Sequence, residues 1–182
     1  MTTVKPSDIH VSPELESNRS ICVRKTTTED NKFYWYPRSS CSDLVDAFEK
    51  YILPAFFNEY AAASAEEDFL ETVERAKKGD LKPVYELRLM NPKNTAPEII
   101  FEIKSEWPNT RRSAKTTGYV GARLFHGEPT ELTDSIVSVY LHCKEDDADP
   151  ETTRDKQTRA ARTAGFYLSQ CRREKWKGLI EQ

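Results

Sequence analysis

From Pro83 onward the spacing of apolar residues changes from helical to alternate, and this change of period constrains the fold more than any other feature of the chain. Tyr85, Leu87 and Leu89 alternate with Glu86 and Arg88, and Ile99, Phe101 and Ile103 alternate with Glu102 and Lys104. Successive strand side chains point to opposite faces, so each stretch is a strand with one apolar side. Asn91-Pro92 and Ala96-Pro97 punctuate the turn between them, which predicts a half-buried hairpin. Two more strands follow at residues 118–125 and 135–143. In the second, Val137, Val139, Leu141 and Cys143 oppose Ile136, Ser138, Tyr140 and His142, the pattern of a central strand. The result is a four-strand meander.

A meander of this kind needs helices to cover it, and the chain supplies three. Ser40 to Asp43 is a capping pair, and Leu44, Val45, Phe48, Tyr51 and Ile52 follow at helical spacing until Pro54 interrupts the run. Ser64-Ala-Glu-Glu67 is a capping box, after which Phe69, Leu70, Val73 and Ala76 share a face and Lys77-Lys78-Gly79 supplies a stop. Asp149-Pro150-Glu151 then combines an N-cap, a proline at the first helical position and an acid in the first turn. In the helix that it opens, Ala160, Ala161, Ala164, Tyr167, Leu168 and Cys171 gather on one side, and Arg159, Arg162, Ser169, Gln170, Arg173 and Lys177 on the other, with Phe166 among them.

Ahead of the helices, Ile21 and Val23 alternate with Cys22 and Arg24, and Phe33 and Trp35 with Tyr34 and Tyr36, which predicts an aromatic N-terminal hairpin. Residues 1–19 carry no periodicity and read as a flexible arm, leaving residues 20–182 as a single domain. The predicted fold class is α+β. An antiparallel sheet, made of the N-terminal hairpin and the meander, packs against two central helices and a long C-terminal helix, all on one face. The terminal helix is expected to cover the side bearing Tyr85, Leu87, Ile99, Phe101 and Val139. This layout resembles helix-grip folds, in which a curved sheet wraps a C-terminal helix, although no motif ties the chain to a family.

Chemistry is sparse. The three histidines, His10, His126 and His142, have no partner at catalytic spacing, and no G-x-S-x-G, H-E-x-x-H or phosphate-cradling glycine loop occurs. Cys22, Cys41, Cys143 and Cys171 show neither C-x-x-C spacing nor a neighbouring histidine cluster, so no zinc or redox motif is suggested. The expectation is a binding protein without cofactor or metal rather than an enzyme. No apolar run approaches the about 18 residues of a membrane span, and the N-terminus lacks a signal-like core, which predicts a cytoplasmic protein with reduced thiols.

Charge is the remaining lead. The net charge is −3, but residues 151–182 carry eight Lys/Arg against four acids, leaving −7 for residues 1–150. Arginines interleaved with an aromatic can hold phosphates and stack on bases. A second cluster, Arg111, Arg112 and Lys115 beside Trp107, lies in the loop after the first hairpin. The expected function is a self-associating, non-enzymatic binding or assembly protein that presents Arg111, Arg112, Lys115, Arg159, Arg162, Phe166, Arg173 and Lys177 to an anionic partner. Nucleic acid, RNA included, comes first and an anionic membrane surface second. A viral or mobile-element structural or accessory protein fits this profile. Three readings compete with it: a solvated helix face with no ligand, a small-molecule carrier or catalyst with a pocket lined by Tyr85, Phe101, Tyr119 and Tyr140, and a protein–protein adaptor using the aromatic hairpin.

Overall fold

The computed structural model describes residues 19–24, 29–37, 41–108, 118–144 and 150–182. The predicted arm, apart from Arg19, lies outside the described residues, as do Arg111, Arg112 and Lys115. In chain order the elements are β1 (Lys32–Trp35), α1 (Leu44–Tyr51), α2 (Glu59–Lys77), β2 (Leu87–Leu89), the single turn α3 (Pro92–Thr95), β3 (Phe101–Pro108), β4 (Tyr119–Gly127), β5 (Ser135–Lys144), α4 (Pro150–Arg173) and β6 (Ile180–Glu181).

These strands form one six-stranded sheet in the order β2-β3-β4-β5-β1-β6. The meander from β2 to β5 is antiparallel as expected. The sheet as a whole is mixed, because β1 runs parallel to β5, with Phe33 opposite Ile136 and Trp35 opposite Ser138. The N-terminal hairpin does not form. Ile21–Val23 is a 3₁₀ turn whose N-cap Ser20 accepts a hydrogen bond from the Cys22 amide, and this diverts the backbone out of the extended conformation. The residues that do make a strand, Phe33 to Trp35, are apolar on both sides and so belong inside a sheet covered on both faces. The pairing on the other edge of β1 comes instead from the end of the chain, with Trp35 opposite Ile180.

Helices cover both faces, not one. On the first, α1 and α2 bury Leu44, Phe48, Phe69 and Val73 against Phe33, Trp35, Leu87, Phe101, Ile103, Leu124, Ile136 and Leu141. Phe48 stacks on Phe69 with ring centroids 4.8 Å apart. On the second, α4 buries Ala160, Ala161, Ala164, Leu168 and Cys171 against Met90, Ile100, Phe125, Val137 and Val139. The apolar side of α4 is the one that the sequence assigns, but its destination differs. Val139 lies under it, Leu87 and Phe101 face the opposite core, and Tyr85 and Ile99 are exposed. The alternation within β4 explains why two cores exist. Val120, Ala122 and Leu124 enter one and Phe125 the other, leaving the strand buried from Val120 to Gly127.

Two glycines let α4 approach closely. A Cβ on Gly127 of β4 would lie 2.2 Å from Leu168 Cδ2, and one on Gly165 would lie 2.9 Å from the Thr95 carbonyl oxygen. Small residues at such points trade side-chain contact for backbone proximity.

Element boundaries shift where local chemistry competes. Asp43 caps α1, accepting from the Asp46 amide at 2.8 Å. Asn58 starts α2 before the Ser64 capping box, so Ser64 lies inside the helix. Pro54 sits in a 3₁₀ turn, Leu53–Ala55, that separates α1 from α2.

Candidate functional site: a basic helix face and its adjoining cleft

Burial of one side of α4 leaves the other in solvent. Arg159, Arg162, Phe166 and Arg173 are all exposed, Phe166 at 58%. Their spacing of three, four and seven residues, at about 100° per residue, aligns them along one line of the helix. Lys177 lines a surface hollow with Arg173 and is exposed in the turn past the helix end. There Lys175 (φ 57°), Trp176 (φ 60°) and Gly178 (φ 75°) adopt left-handed backbone, which reverses the chain so that β6 can pair with β1.

Arg172, one step round the helix from this line, has a structural task. Its guanidinium donates to Glu98 Oε2 at 3.0 Å and to Glu131 Oε1, and lies 5.3 Å from the Trp176 ring centroid. The helix therefore uses one arginine to anchor itself and directs the others outward.

A cleft of about 460 Å³ adjoins the stripe, lined by Tyr51 of α1, Tyr140 and His142 of β5, and Lys156, Arg159 and Thr163 of α4. It opens beyond the stretch Ser135–Ser138 where β1 pairs with β5. A bulge aims its aromatic wall. The register of β4 with β5 shifts between Phe125 and His126, pairing Phe125 with Tyr140 and His126 with Ser138, so that Val139 is the extra residue and Tyr140 faces α4 beside it. The Tyr140 and His142 rings lie nearly parallel, at 11° with centroids 6.3 Å apart, and Tyr167 meets Tyr140 edge-on at 5.9 Å. Burial, and then the neighbouring Tyr51, push the Tyr140 hydroxyl above its ordinary value, which keeps it a neutral donor. Arg159 belongs to both the stripe and the cleft.

A second, polar cavity of about 320 Å³ lies under the start of α4, lined by Tyr85, Arg88, Glu102, Lys104, Glu106, Arg123, Lys144 and Gln157. Arg123 and Glu102 are buried there, 3.7 Å apart, and Arg123 also donates to Glu106. Burial pushes Glu102 up, only partly offset by the Arg123 charge. Burial opposes the charge on Glu106 too, but the hydrogen bond and charge of Arg123, with Lys144, hold it below its ordinary value.

The aromatic residues singled out from sequence do not share one cavity. Tyr140 lines the cleft and Tyr85 the polar cavity, Tyr119 is exposed, and Phe101 stacks on His126 in the opposite core. The aromatic segment offered to an adaptor is inside the protein, with Phe33, Trp35 and Tyr36 buried. Nothing in the sequence marks Tyr51, His142, Lys156 and Thr163 as neighbours, because only the fold brings α1, β5 and α4 together.

Topology also assembles a group that spacing conceals. Cys22, His126 and Glu128 bring potential metal donors within 4.8 Å of one another among the described residues, although Cys22 is 104 positions from His126. Only His126 and Glu128 are neighbours in the sequence, at the end of β4, and the fold supplies the cysteine. Burial first, and the Glu128 charge next, push the Cys22 thiol well above its ordinary value, opposite to what a nucleophile requires.

No protein-family model, curated protein or solved structure matches the chain. Among the described residues no helix is long and apolar enough to cross a membrane. Function is therefore read from the residues themselves.

Proposed function

We propose that the protein is a non-enzymatic binding protein that engages single-stranded nucleic acid through the outer face of α4, with the adjoining cleft receiving a base or a phosphate. The observation that carries this reading is the exposed line Arg159, Arg162, Phe166 and Arg173, continuous through Arg159 with a cleft walled by Tyr140 and His142. Guanidinium groups contact the backbone without regard to sequence, and aromatic faces accept any base, so the recognition is of single strands rather than of a motif.

The charge distribution supports self-association as a second element of the proposal. Exposed Glu67, Asp68, Glu71 and Glu74 of α2 lie on the helical layer opposite α4. Acidic and basic surfaces that face apart cannot neutralise each other within one molecule, whereas copies stacked head to tail bring them together. A small anionic aromatic ligand is the second reading, favoured by a cleft volume of about 460 Å³, within the usual range of ligand sites.

The test uses a fluorescent single-stranded oligonucleotide, a mononucleotide and anionic phospholipid vesicles as three probes. Arg159→Glu with Arg162→Glu is expected to leave the circular dichroism unchanged and to abolish oligonucleotide binding. Binding to vesicles alone would replace the nucleic-acid reading with a membrane one, and binding to the mononucleotide alone would favour the small-ligand reading.

A further inference from the structure

We infer that Cys22, His126 and Glu128 form a zinc(II) site that pins the N-terminal turn Ile21–Val23 to the end of β4. The three donor atoms surround a common point. Cys22 Sγ lies 3.4 Å from His126 Nε2, His126 Nε2 lies 3.3 Å from Glu128 Oε1, and Cys22 Sγ lies 3.6 Å from Glu128 Oε1. Zinc takes sulfur at about 2.3 Å and nitrogen or carboxylate oxygen at about 2.0–2.2 Å in tetrahedral array, which sets neighbouring donors about 3.6 Å apart for S···N and S···O and about 3.4 Å for N···O. All three observed separations fall within about 0.2 Å of one face of that tetrahedron.

Hydrogen bonding alone accounts for the triangle less well. Nε2 carries either one proton or one lone pair, so it can serve one partner, yet two heteroatoms stand at nearly equal distance from it. A charge-assisted N–H···O contact closes to about 2.7–2.9 Å, and the Nε2–Oε1 separation of 3.3 Å is well beyond that. His126 Nδ1 is buried with no hydrogen-bond partner among the described residues.

The surrounding residues hold the donors in place before any ion arrives. The Ile21 amide donates to Glu128 Oε2 at 3.0 Å and the Ser20 hydroxyl donates to Oε1, which fixes the carboxylate. The Leu81 amide donates to the Cys22 carbonyl at 2.9 Å, and Asn31 Nδ2 to the Ile21 carbonyl at 3.3 Å, which fixes the turn. Phe101 stacks on the His126 ring at 5.6 Å. Oriented outer-shell partners of this kind are a regular feature of metal sites. Water would fill the fourth position of the tetrahedron.

A sulfur, nitrogen and carboxylate set selects zinc over the hard cations magnesium and calcium. Binding replaces the Cys22 S–H bond with an S–Zn bond and releases that proton to solvent. His126 coordinates through neutral Nε2 with its proton on Nδ1, Glu128 coordinates as the carboxylate, and no electron is transferred. The site is independent of the basic face of α4, which covers the other side of the sheet.

The test is metal analysis of the full chain purified without chelator, followed by chelation and reloading with zinc(II) or cobalt(II). One zinc per chain, a rise in melting temperature on reloading, and a thiolate-to-cobalt absorption band are expected. The band should be lost in Cys22→Ser and retained in Cys143→Ser and Cys171→Ser. Wild-type protein that stays folded after chelation yet shows neither bound metal nor the cobalt band overturns the inference without recourse to any variant. A band that persists in Cys22→Ser overturns it as well.

Discussion

Tyr140 of β5 and Arg159 of α4 line the same cleft, one supplying a ring partly sheltered from solvent and the other a charge that also belongs to the exposed line of the helix. This pairing links the fold to the proposed function, because the β5 bulge that turns Tyr140 toward α4 is also what gives Arg159 an aromatic neighbour.

If bases stack at this end of the helix, truncating the aromatics should cost affinity without changing the fold. Tyr140→Ala and Phe166→Ala should each weaken oligonucleotide binding by about 1–3 kcal/mol, measured by fluorescence anisotropy. Tyr140→Phe, which retains the ring, should lose little.

Packing of α4 depends on two close approaches. Leu168→Ala, at a fully buried position above Gly127, should lower stability by about 2–5 kcal/mol in urea unfolding. Gly165→Ala, where the added carbon meets backbone rather than a flexible side chain, should cost about 1–3 kcal/mol.

Glu86 should mark the acid limb of stability. Its carboxylate accepts from Arg75 Nη1 and Nη2 at 2.6 and 2.8 Å, and the Arg75 hydrogen bonds hold it below its ordinary value. A group whose pKa is lower folded than unfolded stabilises above its unfolded pKa and loses that contribution as pH falls through the folded value. Stability measured from pH 6 downward should thus fall less steeply in Glu86→Gln than in the wild type, with the difference confined to the region below the ordinary carboxylate pKa of about 4.3.

Thiol reactivity should follow burial. Cys22, Cys41 and Cys171 are buried, and burial, followed by the Glu174 charge, pushes Cys171 up to about 12. In the folded protein at neutral pH, alkylation followed by peptide mass analysis should modify Cys143 first, and the other three only after unfolding.

The sequence-derived picture succeeded where the pattern was local and repeated. The meander strands, the helical run of α4 and its buried alanines are legible because their period specifies them within a few turns; Asp149, the expected cap, lies outside the described residues. Failures came where distant segments decide. Nothing near Phe33 says that its strand runs parallel to β5, and nothing near Ile180 says that Ile180 and Glu181 complete the sheet. The same limit hid the Cys22 cluster, and it hid Tyr51, His142 and Lys156 as cleft residues. For Ile21 to Val23 the alternation was real but weak, and the Ser20 cap prevailed.

Salt dependence of oligonucleotide binding tests the central claim most directly. If Arg159, Arg162, Arg173 and Lys177 each neutralise one phosphate of a single strand, the logarithm of the association constant should fall against the logarithm of salt concentration with a slope of about −3. Arg159→Glu with Arg162→Glu should remove the binding. A slope near zero, or an affinity unchanged by the double reversal, would contradict the assignment of α4 as the binding face.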